Sequence, residues 1–287
     1  MKLSTIRYFY LRELNLNIEN YFIKQFKSKH IGDDGALIDG FVYSKDAFFE
    51  NVHFKTKWMS HYQIARKAML VNISDAIAMN AQPKYALLSV AMPKSITKQQ
   101  MKELHDGFVS VAKEYGVEVI GGDTISNTKL DITITIVSVS KAPLLRSGMK
   151  VNDLVAYTGH LGKSSRDLNY LLSGGSIHNK SKFVDIKLRK TFINKARRFL
   201  NSGMDISDGL FSDLSKLSDA NNLGFDFKVN IPKLVGCSGE EYEMLVVFDR
   251  RQRKTLLRLA KHTRTKLSIF ASTKRKKYTN RCKAHHF

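Results

Sequence analysis

The chain has 287 residues, which is enough for one large domain or two ordinary ones. With 43% hydrophobic and 25% charged residues, it has the composition of a globular protein, which excludes a disordered or fibrous chain. The longest apolar runs, such as Tyr85 to Met92, are much shorter than the roughly 20 residues that cross a bilayer. We therefore expect no membrane span and no signal peptide.

The two cysteines, Cys237 and Cys282, form no CxxC pair and have no histidine partner at metal-binding spacing. This pattern indicates neither a disulfide framework nor a zinc site. We expect reduced thiols and a cytoplasmic protein.

Much of the formal net charge of +21 lies at the carboxyl end, since residues 250–287 contain fourteen Lys or Arg and no Asp or Glu. Basic surfaces bind the phosphate backbone of nucleic acids, so a basic nucleic-acid-binding protein is one hypothesis. The basic residues alternate with apolar ones at near-helical spacing, as at Leu256, Leu257 and Ala260. That spacing favours the solvated face of a packed helix.

The first half of the chain alternates strand and helix signals. Ala36 to Tyr43 is a predicted strand that leads into a polar turn at Ser44-Lys45-Asp46. Ser60 is the predicted amino-terminal cap of a helix that the Gln82-Pro83 step ends. Tyr85 to Met92 is a predicted buried strand.

A second helix and a further strand pair follow. Thr97 and Gln100 form a capping-box pattern before the helix. The apolar run that follows it breaks at Gly121-Gly122-Asp123-Thr124, which indicates a Gly-rich turn, and Leu130 to Val139 alternates as a strand does. The first half is therefore predicted to be an α/β domain.

The pattern restarts after Pro143, so we place a first domain at residues 1–142 and a second at residues 143–287. The predicted elements of the second half are a strand at Leu154 to Thr158, a surface loop at Ser173 to Lys182, a helix that Ser207 begins and Gly224 ends, and a strand at Phe225 to Val229. Aspartates therefore precede and open the helix that begins at Ser207.

Aspartates recur inside short motifs of small residues, in a chain with only 26 acidic residues against 47 basic ones. The motifs are Gly32-Asp33-Asp34-Gly35, Ser44-Lys45-Asp46, Ser74-Asp75, Gly121-Gly122-Asp123-Thr124 and Asp205-Ile206-Ser207-Asp208-Gly209. Any one of them alone is typical of a turn or a helix cap. Magnesium, however, bridges carboxylates to substrate phosphates, and phosphoryl transfer requires mainly positioning and charge neutralisation. The shared context of the motifs favours magnesium-dependent phosphoryl transfer.

Two other motifs carry less information. Gly162-Lys163-Ser164 follows a predicted strand, but a Walker-type phosphate loop needs a glycine where Tyr157 stands, so we exclude that site. His53 is either a substrate contact or a packed loop histidine, and the residues alone favour the second.

Six ordered segments resemble the thiamine-monophosphate kinase family, of the superfamily that includes aminoimidazole ribonucleotide synthetase and selenophosphate synthetase. The segments are Ile31 to Ala36, Ser44 to Phe54, Val71 to Met79, Gly121 to Thr124, Met204 to Leu210 and Gly239 to Glu243. The resemblance covers most of the chain. It implies an α/β amino-terminal domain that pairs in a homodimer, an α+β carboxy-terminal domain, and ATP and several Mg²⁺ ions held between them. The implied activity is direct in-line transfer from ATP to thiamine monophosphate, which yields thiamine diphosphate.

The resemblance also implies roles for individual residues. Those implied to bind magnesium are Asp33, Ser44, Asp46, Asp75, Asp123, Asp205 and Asp208, and those implied to contact the nucleotide are Gly122, Asp123, Arg146 and Ser207. Catalysis would rest on Asp46, Asp75, Asp208 and Arg146, whose guanidinium suits bidentate phosphate contact. His53 and Glu240 match positions that hold thiamine monophosphate, where a carboxylate can face the cationic heterocycle.

Three features depart from the family pattern. Lys45 stands where a threonine is usual, so an ammonium group would alter or replace one ion position, and Glu241 stands where an aspartate is usual. The end from Cys282 to Phe287 matches the closing aromatic motif only loosely. The main alternative is another enzyme of the same superfamily with a different acceptor. Selenophosphate synthetase is disfavoured because no cysteine precedes Cys237.

Overall fold

A computed structural model describes residues 18–282. Residues 1–17, on which the expected absence of a signal peptide depends, and residues 283–287 of the loosely matching end lie outside this range. The helices are α1 Ile18–Ile23, α2 His61–Ala78, α3 Lys98–Tyr115, α4 Lys163–Leu172, α5 Lys190–Ala196, α6 Leu210–Asn221, α7 Lys233–Gly236 and α8 Arg253–His262. The strands are β1 Ala36–Ile38, β2 Phe41–Phe49, β3 Gln82–Pro93, β4 Glu118–Asn127, β5 Asp131–Val139, β6 Leu154–Thr158, β7 Ser202–Asp205, β8 Gly224–Phe227, β9 Met244–Phe248 and β10 Leu267–Lys274.

The first sheet contains five strands in the order β1-β2-β5-β3-β4. Only the β3–β4 pair is parallel, as expected for two strands that a helix, α3, connects. Along β5, Ile132, Ile134 and Ile136 are buried in the same apolar core as residues of α2 and α3, and the residues between them are partly exposed. The helices therefore cover one face of the sheet and leave the other open.

The second sheet also has five strands, in the order β7-β9-β6-β10-β8, and every pair in it is antiparallel. Its strand β9 is buried along its whole length. The two sheets and their helices form the mixed α/β and α+β architecture that the sequence predicts. The boundary at residue 142 falls between the last strand of the first sheet and the first strand of the second, and it stays a prediction.

Helix α2 lies at the centre of the molecule. Ser60 and Gln63 form a capping box at its amino end, which confirms Ser60 as the cap, and thirteen of its eighteen residues are buried. The helix packs on the first sheet and also contacts β7 of the second. A helix that is apolar nearly all round is expected to be buried on every side. Residues on α2 can therefore reach both sheets.

The sequence placed two turns where the structure has strands. The predicted strand Ala36 to Tyr43 is a hairpin that reverses at Asp39 and Gly40, so Ser44-Lys45-Asp46 lies inside β2. Gly121 to Thr124 lies inside β4, paired with β3. The glycines led to the prediction of a turn. In the structure they lie next to an irregularity in the pairing of β3 with β4, where Gly121 and Gly122 have φ angles of 154° and 151° and the strand continues.

Both predicted boundaries of helix α6 are also wrong. Ser207 does not cap it, because α6 begins at Leu210 and Gly209, with a φ of 95°, is the residue before it. At the other end Asn222 adopts the left-handed conformation that ends the helix, and Gly224 begins β8. The capping box at Thr97 and Gln100 is present as predicted.

The expectation of reduced thiols is wrong for this structure. Cys237 and Cys282 form a disulfide with their Cα atoms 5.6 Å apart. Forty-five positions separate them in sequence. They meet because the chain beyond β10 packs against the apolar core of the second sheet, beside α7. The cysteine spacing gave no sign of this contact.

None of the helices in residues 18–282 combines the length and apolar character that crossing a membrane requires.

Candidate active site

Four aspartates lie near one another where α2 meets β7. Asp46 comes from β2, Asp75 from α2, and Asp205 from the end of β7, while Asp34 lies in the loop before β1. Asp75 and Asp205 are close enough to repel each other and to be repelled by both Asp46 and Asp34. The fold thus brings acidic residues from both sheets to one place.

Helix α2 holds two of these aspartates through polar side chains. The Asn72 side-chain oxygen accepts a hydrogen bond from the backbone N–H of Asp46 at 2.7 Å, and its amide donates to the carbonyl of Ala68. The Ser74 hydroxyl donates to a carboxylate oxygen of Asp205 at 2.6 Å. Ser44, another predicted ligand, donates to the carbonyl of Asn72 at 3.3 Å. These contacts place the carboxylates before any ligand arrives.

The electrostatics of the cluster favour a cation. Burial raises the pKa of Asp75 well above its usual range, and the charges of Asp46 and Asp205 raise it further. Burial and the charge of Asp34 raise the pKa of Asp205 in the same way, while the Ser74 hydrogen bond opposes the rise. Carboxylates that repel each other in a buried place gain stability when a positive ion neutralises them.

Arg146 binds this cluster through Asp34. Its Nε and Nη2 donate to the same oxygen of Asp34 at 3.0 and 2.5 Å, and its backbone N–H donates to Asp33 at 2.6 Å. Burial lowers the pKa of Arg146, but the adjacent Asp34 raises it overall, so the guanidinium stays charged. The structure therefore places Asp34 beside Asp75 and Asp205, and it uses Asp33 to hold the Arg146 backbone. The role of Asp33 as a metal ligand stays a prediction.

Asp208 lies beside the cluster, with a lysine as its partner. Lys216 Nζ donates to Asp208 at 2.7 Å and to the buried Asp213 at 2.9 Å. The backbone N–H of Asp208 donates to Asp213 at 3.2 Å. The carbonyl of Ser207 accepts the Glu240 backbone N–H at 2.7 Å, which links this loop to the Glu240 region.

Gly122 and Asp123 lie away from the aspartate cluster. They are on the edge strand β4, three strands from β2, or about 14 Å at the usual spacing between strands. They line a groove of about 370 Å³ whose other walls are mainly apolar, including Leu88, Met92 and Phe108. A side chain at Gly122 would collide with the carbonyl oxygen of Leu88, so this position requires glycine. The structure of one chain does not bring Asp123 to the other predicted ligands.

His53 and Glu240 share a neighbourhood that aromatic rings line. The His53 ring lies 5.5 Å from that of Phe48, and its Nδ1 accepts the Phe49 backbone N–H at 3.0 Å. A ring nitrogen that accepts from a backbone amide leaves the proton of neutral histidine on Nε2. Lys67 Nζ lies 5.5 Å from the centre of the same Phe48 ring and donates to Glu240 at 2.6 Å.

The two substituted motif positions have different environments. Lys45 points along the sheet to the Thr133 hydroxyl, 3.1 Å away, so its ammonium does not take the place of an ion among the aspartates. Glu241 is fully buried and accepts the backbone N–H groups of Gly162 and Ser164 at the start of α4. Its carboxylate caps that helix, a role in which the longer side chain can reach two amides.

Comparison with known proteins identifies the family. Residues 32–140 match the model of the AIR synthase related protein, N-terminal domain. The chain is 35% identical over 212 residues to a thiamine-monophosphate kinase of Bacillus subtilis, covering 66% of this chain and 64% of that protein. It is 32% identical over 264 residues to one from Buchnera aphidicola of Schizaphis graminum, with 79% of both chains covered. The chain belongs to the thiamine-monophosphate kinase family.

A solved structure shows that the family fold extends over nearly the whole chain. AaThiL, complexed with AMPPCP and TMP, matches with a TM-score of 0.81 and 22% identity, over 91% of each chain. At that identity the match concerns the fold alone. The two-domain architecture of AIR synthase-like proteins, expected from the sequence motifs, is thereby confirmed.

Sequence reasoning about the thiamine-monophosphate kinase motifs missed several residues that the structure brings to the site, among them Asp34, Lys67 and Lys216. Asp34 is adjacent to Asp33, which the resemblance implied as a magnesium ligand, and the motif alone does not show which of the two faces the other aspartates. Lys67 and Lys216 had one available signal, a lysine among the apolar positions of a predicted helix. Phe183, whose ring centre lies 3.9 Å from Lys67 Nζ, had no such signal, because it follows directly on the predicted surface loop Ser173 to Lys182.

Proposed function

We propose that this protein transfers the γ-phosphoryl group of ATP to thiamine monophosphate and forms ADP and thiamine diphosphate, with Mg²⁺ as the metal. The observation that carries the proposal is the gathering of Asp34, Asp46, Asp75 and Asp205 beside Arg146 in a chain of this family. Phosphoryl transfer requires positioning and charge neutralisation more than a specialised base, and this cluster supplies both.

The residues present fit magnesium. Their donor atoms are carboxylate and hydroxyl oxygens, which this hard ion prefers, and mutual repulsion makes a cation favourable there. Among residues 18–282, no three Asp, Glu, His or Cys side chains already surround one point as ligands. That agrees with an ion that one or two carboxylates share with substrate phosphates. Asp46, Asp75 and Asp205, with Ser44 beside them, would share the bound ions so that each ion has one or two carboxylate ligands, and Asp208 would act at the edge of the cluster.

The chain's own residues would prepare a direct in-line transfer. The acceptor is a phosphate whose oxygen is largely anionic near neutral pH, because its second pKa is about 6, so no general base is needed. Bound Mg²⁺ would screen the two polyanions from each other. Arg146 would offset charge on the transferred group, and Asn72 and Ser74 would keep Asp46 and Asp205 in place. We expect no covalent phosphoenzyme.

The acceptor and nucleotide would bind on two sides of the aspartate cluster. Glu240 and His53 would hold thiamine monophosphate, because a carboxylate beside aromatic rings suits a cationic heterocycle. The apolar groove beside Gly122 and Asp123 supports a site for the nucleotide base, with Ser207 nearer the phosphates. We also propose a cytoplasmic location because the reaction uses ATP; the earlier ground, reduced thiols, is removed by the disulfide between Cys237 and Cys282.

We also propose a homodimer that forms through the open face of the first sheet. Phe41 and Tyr43 of β2 and Tyr85 and Leu87 of β3 are each about 40% exposed, and they lie on the same face on either side of β5. An exposed apolar patch beside an edge strand is typical of an interaction surface. The family resemblance implies that the amino-terminal domain pairs in a homodimer, and a second copy of this chain is the occupant we propose for this face.

The test of function is an assay with purified protein, ATP, Mg²⁺ and thiamine monophosphate. Chromatography should show thiamine diphosphate and ADP in equal amounts, and neither should form when magnesium or the acceptor is omitted. Folded protein that binds ATP yet forms no thiamine diphosphate would refute the proposed acceptor. A panel of other small phosphorylated and carboxylated metabolites would then be screened by ADP release.

A further inference from the structure

A fully buried lysine is joined to the glutamate of the acceptor region. The Lys67 side chain on α2 is 0% exposed, and its Nζ lies 2.6 Å from Oε2 of Glu240. The same ammonium lies 3.9 Å from the centre of the Phe183 ring. Lysine is almost never fully buried unless it is paired, so a carboxylate and an aromatic face together explain its position.

Glu240 is fixed by its backbone as well as by its side chain. Its φ of 53° lies in the left-handed region, which few residues other than glycine adopt. Its backbone N–H donates to the carbonyl of Ser207, which belongs to the loop that carries Asp208. The Glu240 side chain nevertheless stays 25% exposed. One carboxylate oxygen is thus bound to Lys67 while the group as a whole remains accessible.

We propose that Lys67 is a positioning residue for the acceptor. It holds Oε2 of Glu240, so that Oε1 faces the positively charged ring of the acceptor from a fixed direction. The inference rests on the proposed function and deepens it, since it says how a cationic acceptor is recognised. Lys67 acts through Glu240, and its ammonium also lies over the rings of Phe48 and Phe183.

The loss of Lys67 has two opposing effects on acceptor affinity. It removes a positive charge that competes with the cationic ring, which would tighten binding. It also leaves Oε2 of Glu240 without its partner beside the apolar Phe183 ring, so the carboxylate turns towards water and Oε1 leaves its position. A charge-assisted hydrogen bond at 2.6 Å makes the second effect the larger one.

The experiment is a double-mutant cycle on the full chain. We would measure kcat and KM for thiamine monophosphate and for ATP in the wild type, Lys67→Met, Glu240→Gln and the double variant. Lys102→Met is the matched control, because Lys102 makes an ion pair with Asp106 that is exposed to solvent on the neighbouring helix. Thermal melts would confirm folding. If Lys67→Met does not fold, Lys67→Gln, which keeps an N–H donor, replaces it in the same cycle.

We expect Lys67→Met to raise KM for thiamine monophosphate by about tenfold to a hundredfold, with KM for ATP unchanged. In the Glu240→Gln background the same change should add less than about twofold, because both act through one contact. An unchanged or lower KM for the acceptor, or full additivity in the cycle, would overturn the positioning role and leave the proposed function intact. A wild type that forms no thiamine diphosphate would overturn both.

Discussion

Replacing Arg189 by Met tests whether a buried ion pair holds the second half of the chain together. Arg189 Nε and Nη2 each donate to Glu243 at 2.7 Å, on different carboxylate oxygens. Glu243 is only 3% exposed, and it also accepts from Lys182 at 3.1 Å and from Thr158 at 2.8 Å. The ion pair joins the segment before α5, which contains Phe183, to the residue before strand β9.

The expected loss of unfolding free energy depends on the buried Glu243 carboxylate, which Arg189→Met leaves without its main partner. Removing one partner of a buried ion pair costs about 3 to 5 kcal/mol, because the other charge stays buried. Arg189 is itself 20% exposed and Lys182 remains beside Glu243, so we expect the lower end or less, about 2 to 3 kcal/mol. For a protein of this size that corresponds to a melting temperature lower by about 5 to 10 °C.

The assay is thermal and urea denaturation followed by circular dichroism. The control is Arg166→Met, since Arg166 is 72% exposed and lies 3.6 Å from Asp167, where an ion pair contributes about 0.5 kcal/mol or less. If Arg189→Met proved as stable as the control, the account of Glu243 as a carboxylate held mainly by Arg189 would be refuted.

Three further changes have definite expected outcomes. Asp75→Asn should lower kcat by at least about a hundredfold without lowering the melting temperature, because it relieves repulsion by Asp46 and Asp205; steady-state kinetics beside a melt would contradict this if turnover persisted. Leu87→Glu should convert a dimer into monomers in light-scattering chromatography, whereas Leu172→Glu, at a more exposed leucine at the end of α4, should not. A dimeric Leu87→Glu would exclude this face. Burial raises the pKa of Glu243, but Arg189 and Lys182 outweigh it and hold the pKa below 4.5. The stability from these contacts is therefore present above about pH 4.5 and lost as pH falls, and acid denaturation should show a steeper loss in the wild type than in Arg189→Met.

Local signals predicted the first half of the fold well. The predicted cap at Ser60 and the predicted capping box at Thr97 and Gln100 placed the starts of α2 and α3, because a cap is encoded by residues close together in sequence. Errors arose where a residue with turn chemistry is used for another purpose. Gly122 is required by the close approach of β3, which only the paired strands reveal.

The candidate site was predictable as a set of motifs and not as a geometry. Asp46, Asp75 and Asp205 do lie together, yet nothing in the sequence says that Asn72 and Ser74 hold two of them. Contacts between residues far apart in the sequence were not predicted. Glu240 pairs with Lys67 across 173 positions, and the cysteines meet across 45, and no local pattern records either separation.

Helix α2 sets the distance between the two halves of the site. Lys67 and Ser74 are seven residues apart, so they lie on the same face, two turns or about 10 Å from each other. One contacts Glu240 and the other Asp205, and both partners belong to the second half of the chain. Inserting or deleting one residue between them would rotate one contact by about 100° relative to the other. The number of residues between Lys67 and Ser74 is therefore constrained, because one helix has to present both contacts to the second half of the chain at once.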